Sequence, residues 1–257
     1  MHLIARIDLI RVARQLKSID RHPALVKAIE RAAAAGSIRE DLRSALASLN
    51  QIVQIQDHSD VDPYNTPDWF NETTITGGLF VQAVVLYARA TATSGDRRPL
   101  LGGAKLTEEQ RATHDAAMDY RNSAIAHFGR GEAFSDGPLV KEAVVLSLYK
   151  DGERLKKQVA AYTTRAQHKV AFSARLASLL EVRLAEIDAR YQKLFDVVDT
   201  ELEASVNDDP ALGRALPSFE FDIDGFCASP EAAQHLRAQL DAGSAADMDY
   251  AVRVQKP

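Results

Sequence analysis

The sequence predicts a mainly α-helical fold that carries one β-hairpin and one unusually long helix. Apolar residues recur three or four positions apart along most of the chain, and glycine and proline mark the breaks between segments. One stretch alternates apolar and polar residues around Asp151-Gly152, a dipeptide that suits a tight hairpin turn. Because 46 % of the 257 residues are hydrophobic, the chain can bury a substantial core.

Three helices are predicted at the N-terminal end. The first covers residues 2–19, and His22-Pro23 interrupts it because proline cannot continue a helix. A second helix follows as far as Gly36. The sequence Ser37–Glu40 places a hydroxyl and a carboxylate three residues apart, which is the pattern of a capping box. A third helix is therefore predicted from Ser37 to about Asp57.

Two further helices are predicted in the middle of the chain. Residues 57–70 are rich in Asp, Asn and Pro, which favours a loop. The helix that follows, over residues 71–94, is apolar on nearly every side, as expected of a central helix. Its Arg89 is expected at the edge of the core, paired across helices. Thr107–Gln110 is a second capping box, and it opens a helix expected to end near Phe128-Gly129.

The second half of the chain holds the hairpin and the long helix. The hairpin is predicted over about residues 142–164. An apolar stripe then continues over residues 166–206, which corresponds to about 60 Å of helix at about 1.5 Å per residue. Either earlier helices stack along this stripe or a second chain covers part of it. We expect residues 1–206 to form one helical domain and residues 207–257 an acidic C-terminal extension.

Charge is distributed unevenly along the sequence. The formal net charge is −5, but residues 199–249 carry twelve acidic residues and two arginines, a net −10, so the remainder sums to +5. Residues 150–183 contain eight Lys or Arg against three acids, a modest footprint for a polyanion. Mixed charges on long solvated helices explain the same numbers. A further alternative is that the acidic segment mimics nucleic acid and masks the basic body.

Several classes of protein are excluded or disfavoured by missing patterns. There is no glycine-rich phosphate loop, no H-E-x-x-H, and no pair of cysteines for zinc, and the seven histidines are never three or four residues apart. We therefore predict no cofactor and no metal. One EF-hand-like pattern exists at Glu220, Asp222, Asp224, Gly225 and Glu231, but its first position is Glu, and the default interpretation is a solvated acidic loop.

The location is also constrained by the sequence. No run of about eighteen apolar residues is present, so we expect no membrane span. Arginines interrupt the apolar residues of the N-terminus, which argues against a secretion signal. The single cysteine, Cys227, cannot form an intrachain disulfide. These observations favour the cytoplasm.

The segment MDYRNSAIAHFGRGE, residues 118–132, carries the strongest candidate chemistry. It places Arg121, Asn122 and His127 in the pattern R-N-x-x-x-x-H, late in a predicted helix. Histidine suits proton transfer, because its unperturbed pKa of about 6.5 leaves both protonation states populated near neutrality. Arginine suits phosphate, because its planar donors grip two oxygens and it stays charged. Asn122 is a candidate for holding either group in place.

This pattern resembles the Arg-(polar)-x-(3 to 5)-His signature of the HEPN superfamily. The resemblance covers residues 107–128 well, residues 71–94 loosely, and the rest only in being helical. It implies a HEPN-like helical bundle acting as a metal-independent RNA endonuclease that leaves a 2′,3′-cyclic phosphate and a 5′-hydroxyl. Members of the superfamily often serve as toxins or antiphage defence effectors, and an antitoxin or other partner protein is left open.

Helix geometry and the resemblance together suggest a homodimer. Arg121 and His127 are six positions apart, so on an α-helix these side chains lie about 120° apart around the axis and about 9 Å along it. A single chain also offers only one histidine here. HEPN ribonucleases are commonly two-fold dimers, which implies a composite site with two copies of each residue. Tyr120 and Ser123 are candidates to orient the imidazole or contact substrate, and Arg130 is a further substrate-binding candidate.

The same residues also have an interpretation without catalysis. A basic residue in the last turn of a helix is favoured by the helix dipole, and Gly129 is an ordinary C-terminal cap, so His127 is explained as a helix end. Arg121 could pair with Asp119 or Glu132. The alternative function is accordingly a non-catalytic HEPN-like dimerisation or interaction module.

Overall fold

The helices and the hairpin have clear bounds in the structure, a computed structural model. It describes residues 5–57, 67–91, 100–101, 106–125, 140–151, 154–165 and 170–241. The longer α-helices are α1 (Leu9–Ser18), α2 (Pro23–Asp57), α3 (Pro67–Thr91), α4 (Glu108–Asp119) and α5 (Val170–Asp208). Shorter ones follow as α6 (Pro210–Ala215), α7 (Ile223–Phe226) and α8 (Pro230–Asp241). The strands are β1 (Val140–Asp151) and β2 (Arg154–Arg165). The predicted mainly α fold, with a β-hairpin and one long helix, is confirmed.

The chain divides into two compact units. The terminal unit comprises Met1–Gly36 and Arg190–Pro257, and the central unit comprises Ser37–Ala189. The domain boundary expected near residue 206 falls inside the terminal unit. Residues beyond it bind the N-terminal segment there: the Asp8 amide donates to the Phe219 carbonyl and the Phe221 amide to the Arg6 carbonyl, both at 2.8 Å. The acidic segment is thus part of the terminal unit as far as it is described.

The core of the terminal unit joins both ends of the chain. Asp8 caps α1 by accepting hydrogen bonds from the amides of Ile10 and Arg11. The helix then buries Val12 and Leu16. The buried side chains that share this core are Val12, Ala13, Leu16, Leu25, Val26, Ala28, Ile29, Ala32, Val198 and Leu212. A loss of residues after Val198 would therefore remove part of this core.

The predicted break between Gly36 and Ser37 is wrong. Helix α2 runs without interruption from Pro23 to Asp57, so Ser37 does not cap a new helix. A β-carbon on Gly36 would lie 3.7 Å from the Tyr191 hydroxyl, at ordinary contact distance. Glycine and serine favour a helix less than alanine does, but packing of α2 along its length outweighs this modest local cost. Glu40 instead accepts a hydrogen bond from the Ser44 hydroxyl one turn later.

The core of the central unit is formed by the described parts of α2, α3, α4 and α5. Its largest fully buried side chains are Tyr87, Phe172, Ile38, Leu42, Ile52, Leu176, Leu179, Leu180, Ile187 and Val84. The expected pairing of Arg89 across helices is confirmed, because its guanidinium donates to the buried carboxylate of Asp41 on α2. This pair ties the apolar helix α3 to α2.

Helix α5 takes part in both units. Its 39 residues span about 58 Å at about 1.5 Å per residue. Within the central unit it buries Leu176, Leu180 and Ile187. Within the terminal unit it contributes the buried Val198 and the partly buried Leu194. Helices of the same chain therefore stack along its apolar stripe in each unit.

The hairpin forms close to its predicted position. Strands β1 and β2 are antiparallel, with Val140 opposite Arg165 at one end and Asp151 opposite Arg154 at the other. The turn residues 152 and 153 lie outside the described residues. Among the described helices, none combines the length and the apolar character that crossing a membrane requires.

Candidate active site

The helix that leads to the candidate motif begins at the predicted capping box. The Thr107 side chain accepts a hydrogen bond from the Gln110 amide at 3.2 Å, and the Gln110 side chain accepts one from the Thr107 amide at 3.0 Å. Both members of the box are present, which confirms this helix start. The box satisfies two backbone donors that the first turn would otherwise leave free.

The helix changes type before its predicted end near Phe128-Gly129, which lies outside the described residues. The α-helix stops at Asp119 and a π-helix covers Tyr120–Ile125, where hydrogen bonds run from i to i+5. The angular separation of about 120° between Arg121 and His127 assumed α geometry throughout, so that estimate does not hold. Short π segments are frequent at functional sites. The motif thus begins on a locally unusual backbone.

Tyr120 anchors the first residue of the π segment in the core. Its side chain is only 2 % exposed. Its ring lies edge-on to Phe80 with centroids 5.5 Å apart and tilted against Phe172 with centroids 4.7 Å apart. In this conformation the Tyr120 ring is part of the core packing at the start of the π segment, and its predicted contact with substrate or with the His127 imidazole stays a prediction.

Arg121 and Asn122 lie on the surface, immediately after this anchor. Both are exposed, and the Arg121 guanidinium donates a 2.8 Å hydrogen bond to the side-chain oxygen of Asn122. The contact joins the two side chains, and the positioning role of Asn122 stays a prediction. This hydrogen bond uses one of the five donors of the guanidinium, which leaves an exposed fork suited to phosphate oxygens.

The other candidate residues are only partly covered by the structure. Ser123 belongs to the π segment by its backbone, and its side chain is outside the described residues. His127 and Arg130 also lie outside the described residues. The distance between the Arg121 guanidinium and the His127 imidazole is therefore a prediction. Of the candidate residues, the structure describes the side chains of Tyr120, which is buried, and of Arg121 and Asn122, which are exposed.

Three comparisons with known proteins were made to look for relatives of this chain, and none found one. A scan against protein-family models, a search of curated proteins and a search of solved structures each found no match. The resemblance to the HEPN superfamily consequently depends on the motif and the helical architecture.

A polar cluster that the sequence reasoning missed joins the helix of the motif to its neighbours, and it consists of the buried Tyr87 and Arg183 and the half-buried His114. The Tyr87 hydroxyl on α3 lies 2.8 Å from Nδ1 of His114 on α4. Arg183 on α5 is 2 % exposed and donates a 2.7 Å hydrogen bond to Glu186. His114 lies seven residues before Arg121, about two turns of helix. A search of the sequence for a histidine seven residues before a basic residue would have found His114.

The electrostatics of the cluster fix its protonation. Burial raises the pKa of Tyr87 to about 12, although the nearby Arg183 acts in the opposite direction. Burial and the positive charge of Arg183 lower the pKa of His114 below its ordinary value. At neutral pH Tyr87 is therefore a protonated phenol beside a neutral imidazole, and a hydrogen bond joins its hydroxyl to Nδ1 of His114. This hydrogen bond joins α3 to α4.

The EF-hand-like residues have structural roles in the terminal unit. Asp222 caps α7 by accepting a 2.9 Å hydrogen bond from the Gly225 amide, and Asp224 pairs with Arg237 at 2.5 Å. In the described part of the chain, no group of three or more acidic, His or Cys side chains is placed to hold a metal ion.

Proposed function

We propose that the chain is a metal-independent RNA endonuclease of HEPN type that acts as a cytoplasmic homodimer, in the role of a toxin or antiphage defence effector. The observation that carries the proposal is the exposed Arg121 guanidinium, which is hydrogen-bonded to Asn122 on a π segment that ends two positions before His127 in sequence. A cytoplasmic location belongs to the proposal because the chain has a single cysteine.

The proposed reaction needs a proton acceptor, a proton donor and a cationic group. A base takes the proton of the ribose 2′-hydroxyl, and the oxygen attacks the adjacent phosphorus. The bond to the 5′-oxygen breaks, and that oxygen takes a proton from the acid, which leaves a 2′,3′-cyclic phosphate and a 5′-hydroxyl. His127 serves in the proton transfers. Arg121 binds the non-bridging oxygens, whose negative charge increases during the attack.

Two copies of the motif complete the site in this proposal. One imidazole has to change protonation state between the base and acid steps, whereas two imidazoles divide them. A two-fold dimer supplies two copies of His127 and two of Arg121 around one cleft. The exposure of Arg121 and Asn122 supports the proposal because these side chains are available to a second chain and to RNA.

Cleavage of end-labelled RNA in EDTA tests the proposal. We expect cleavage by the wild-type protein, because no metal takes part. Arg121→Ala and His127→Ala are each expected to lower the rate by about 100-fold or more, since both groups act on the transition state. Asn122→Ala should have a smaller effect, because it removes a positioning contact and leaves the guanidinium.

The control is Arg111→Ala, which removes an exposed arginine from the same helix outside the motif. It should cleave at the wild-type rate. Equal losses in Arg111→Ala and Arg121→Ala would assign the effect to general charge and contradict the proposed site. If the wild-type protein cleaves no RNA among structured, single-stranded and transfer RNAs, the endonuclease proposal is refuted and the interaction module is favoured.

A further inference from the structure

One side of the hairpin carries large aliphatic side chains that are open to solvent. The antiparallel register places Leu146 opposite Val159, and residues two positions along either strand lie on the same side of the sheet. The large aliphatic residues of this side, which we call the aliphatic face, are Val144, Leu146, Leu148, Leu155 and Val159. Each of them is between 55 % and 77 % exposed. A continuous exposed apolar surface of this kind marks a contact with a protein or with a membrane.

The described part of the chain does not cover the hairpin on either side. Among the strand side chains that the structure describes, those of Ser147 and Ala160 are intermediate in exposure and the others are exposed. A two-stranded hairpin on its own is only marginally stable in water. An apolar environment that takes up the aliphatic face would therefore stabilise the hairpin.

Two lysines lie on the same side of the sheet as the aliphatic face, in the half of the hairpin nearest the turn. Lys157 is opposite Leu148, and Lys150 is opposite Leu155. Both lysine side chains are exposed. A lysine can lay its methylene groups along apolar neighbours and keep its ammonium group at a polar boundary. The face thus presents apolar side chains and ammonium groups next to one another.

The opposite side of the sheet is more polar, and the hairpin as a whole is basic. Ser147 lies opposite Gln158 on this side, and Tyr149 lies opposite Lys156. The Tyr149 hydroxyl donates a 3.3 Å hydrogen bond to the side-chain oxygen of Gln158 across the strands. Together the two strands contain six Lys or Arg and two acidic residues, a net +4. The hairpin therefore attracts an anionic partner.

We infer that the aliphatic face binds the surface of a lipid bilayer that contains anionic phospholipids. Its leucine and valine side chains enter the boundary between headgroups and acyl chains, and Lys150 and Lys157 contact the lipid phosphates. The opposite side of the sheet, with Ser147 and Gln158, stays in water, so the hairpin lies along the membrane and does not cross it. This inference does not depend on the proposed RNA cleavage.

Other anionic partners fit the aliphatic face less well. RNA complements the positive charge, but it offers no apolar phase to the five aliphatic side chains. The strands have twelve residues each, so the face is about 40 Å long and about 10 Å wide, or about 400 Å². A stable protein pair buries about 800 Å² per partner, twice this area. A bilayer accepts apolar side chains and ammonium groups together and requires no minimum area.

Flotation of the full chain with lipid vesicles tests the inference. We expect the wild-type protein to bind vesicles of phosphatidylcholine with about one third phosphatidylglycerol at least about tenfold more tightly than vesicles of phosphatidylcholine alone. Leu146→Gln and Val159→Gln should each weaken binding by about tenfold, because each places an amide where an aliphatic side chain enters the lipid. The matched control is Val145→Gln, which changes a 41 % exposed residue on the opposite side of the same strand and should bind like wild type. Circular dichroism establishes that each variant is folded.

A lysine variant separates the charge from the aliphatic contact. Lys157→Gln should weaken binding to the anionic vesicles about fivefold, whereas Lys27→Gln, which removes an exposed lysine of α2, should have no effect. A wild-type protein that does not bind the anionic vesicles overturns the inference, as does equal weakening by Val145→Gln and Leu146→Gln. If Lys157→Gln weakens binding and Leu146→Gln does not, the hairpin makes a charge contact of the kind that RNA also offers, and the inference is overturned.

Discussion

The ion pair between Arg89 and Asp41 should contribute more to stability than an ordinary surface pair. Asp41 is 4 % exposed, whereas the Arg89 side chain is 56 % exposed. Arg89 Nε donates to one carboxylate oxygen at 2.7 Å, and its terminal nitrogen donates to the other. The contact is therefore bidentate, with the carboxylate on its buried side. Arg89→Ala removes the cation and leaves that carboxylate in the core.

The expected loss lies between two limits. Breaking a fully buried pair costs about 3 to 5 kcal/mol, and breaking an exposed pair costs at most about 1 kcal/mol. Because water reaches more than half of the Arg89 side chain, we expect Arg89→Ala to lower the free energy of unfolding by about 2 kcal/mol. Asp41→Asn keeps the size of the side chain and should cost a similar amount.

Urea unfolding followed by circular dichroism measures this difference. The control is Lys17→Ala, which breaks the pair of Lys17 with Glu30, whose side chains are 68 % and 50 % exposed. That variant should lose less than about 1 kcal/mol. The reasoning is refuted if Arg89→Ala and Lys17→Ala have equal effects, or if the double variant of Arg89 and Asp41 shows no coupling between the two changes.

Two further predictions concern helix α4. Thr107→Ala should lower the free energy of unfolding by about 1 kcal/mol, whereas Thr107→Ser should leave it nearly unchanged, because the hydroxyl alone caps the Gln110 amide. Thermal unfolding of both variants measures the difference, and an equal loss in both would contradict the capping role. The lowered pKa of His114 means that the unfolded chain binds its proton first, so this contribution to stability is complete above about pH 6.5 and decreases as the pH falls below it. Urea unfolding from pH 5 to pH 8 should therefore show a smaller decrease for His114→Gln than for wild type, and parallel curves would contradict the assignment.

Local patterns in the sequence predicted most of the fold. Helical spacing, the capping box at Thr107 and the turn dipeptide at Asp151 depend on neighbours a few residues apart, and the corresponding helices and hairpin are present. The break predicted at Gly36 failed because packing along α2 outweighs a weak local preference. Asp41 could not be identified as the partner of Arg89 from sequence, because 48 residues separate them.

The candidate site was predictable only in part. The motif identified Arg121 and Asn122, and their exposure and mutual hydrogen bond fit the roles expected of them. Helical spacing places Tyr120 on the buried face of α4, three residues after Ala117 and seven after Thr113, whereas its neighbours Arg121 and Asn122 are exposed. The contact between Tyr87 and His114 joins two helices through tertiary packing, so it could not be predicted from the sequence pattern of either helix.

The acidic segment is best tested without truncation. Leu212 belongs to the core of the terminal unit, so removing the chain after Val198 would disturb folding together with charge. Replacing exposed acids of α5 and α8 by their amides keeps that core. If the acidic segment masks the basic body, these variants should bind RNA more tightly and with stronger salt dependence than wild type. Unchanged binding would contradict the masking alternative.

Mixing two inactive variants tests most directly whether two copies of the motif form one catalytic site. Arg121→Ala and His127→Ala are purified separately, mixed at equal concentration and assayed on end-labelled RNA in EDTA. A shared cleft predicts that the mixture cleaves RNA more slowly than wild type and leaves 2′,3′-cyclic phosphate ends, while each variant alone is inactive. The mixed dimer retains one guanidinium and one imidazole, and that imidazole then has to serve as base and as acid in turn. A mixture as inactive as its components, beside an active wild type, would contradict the shared site.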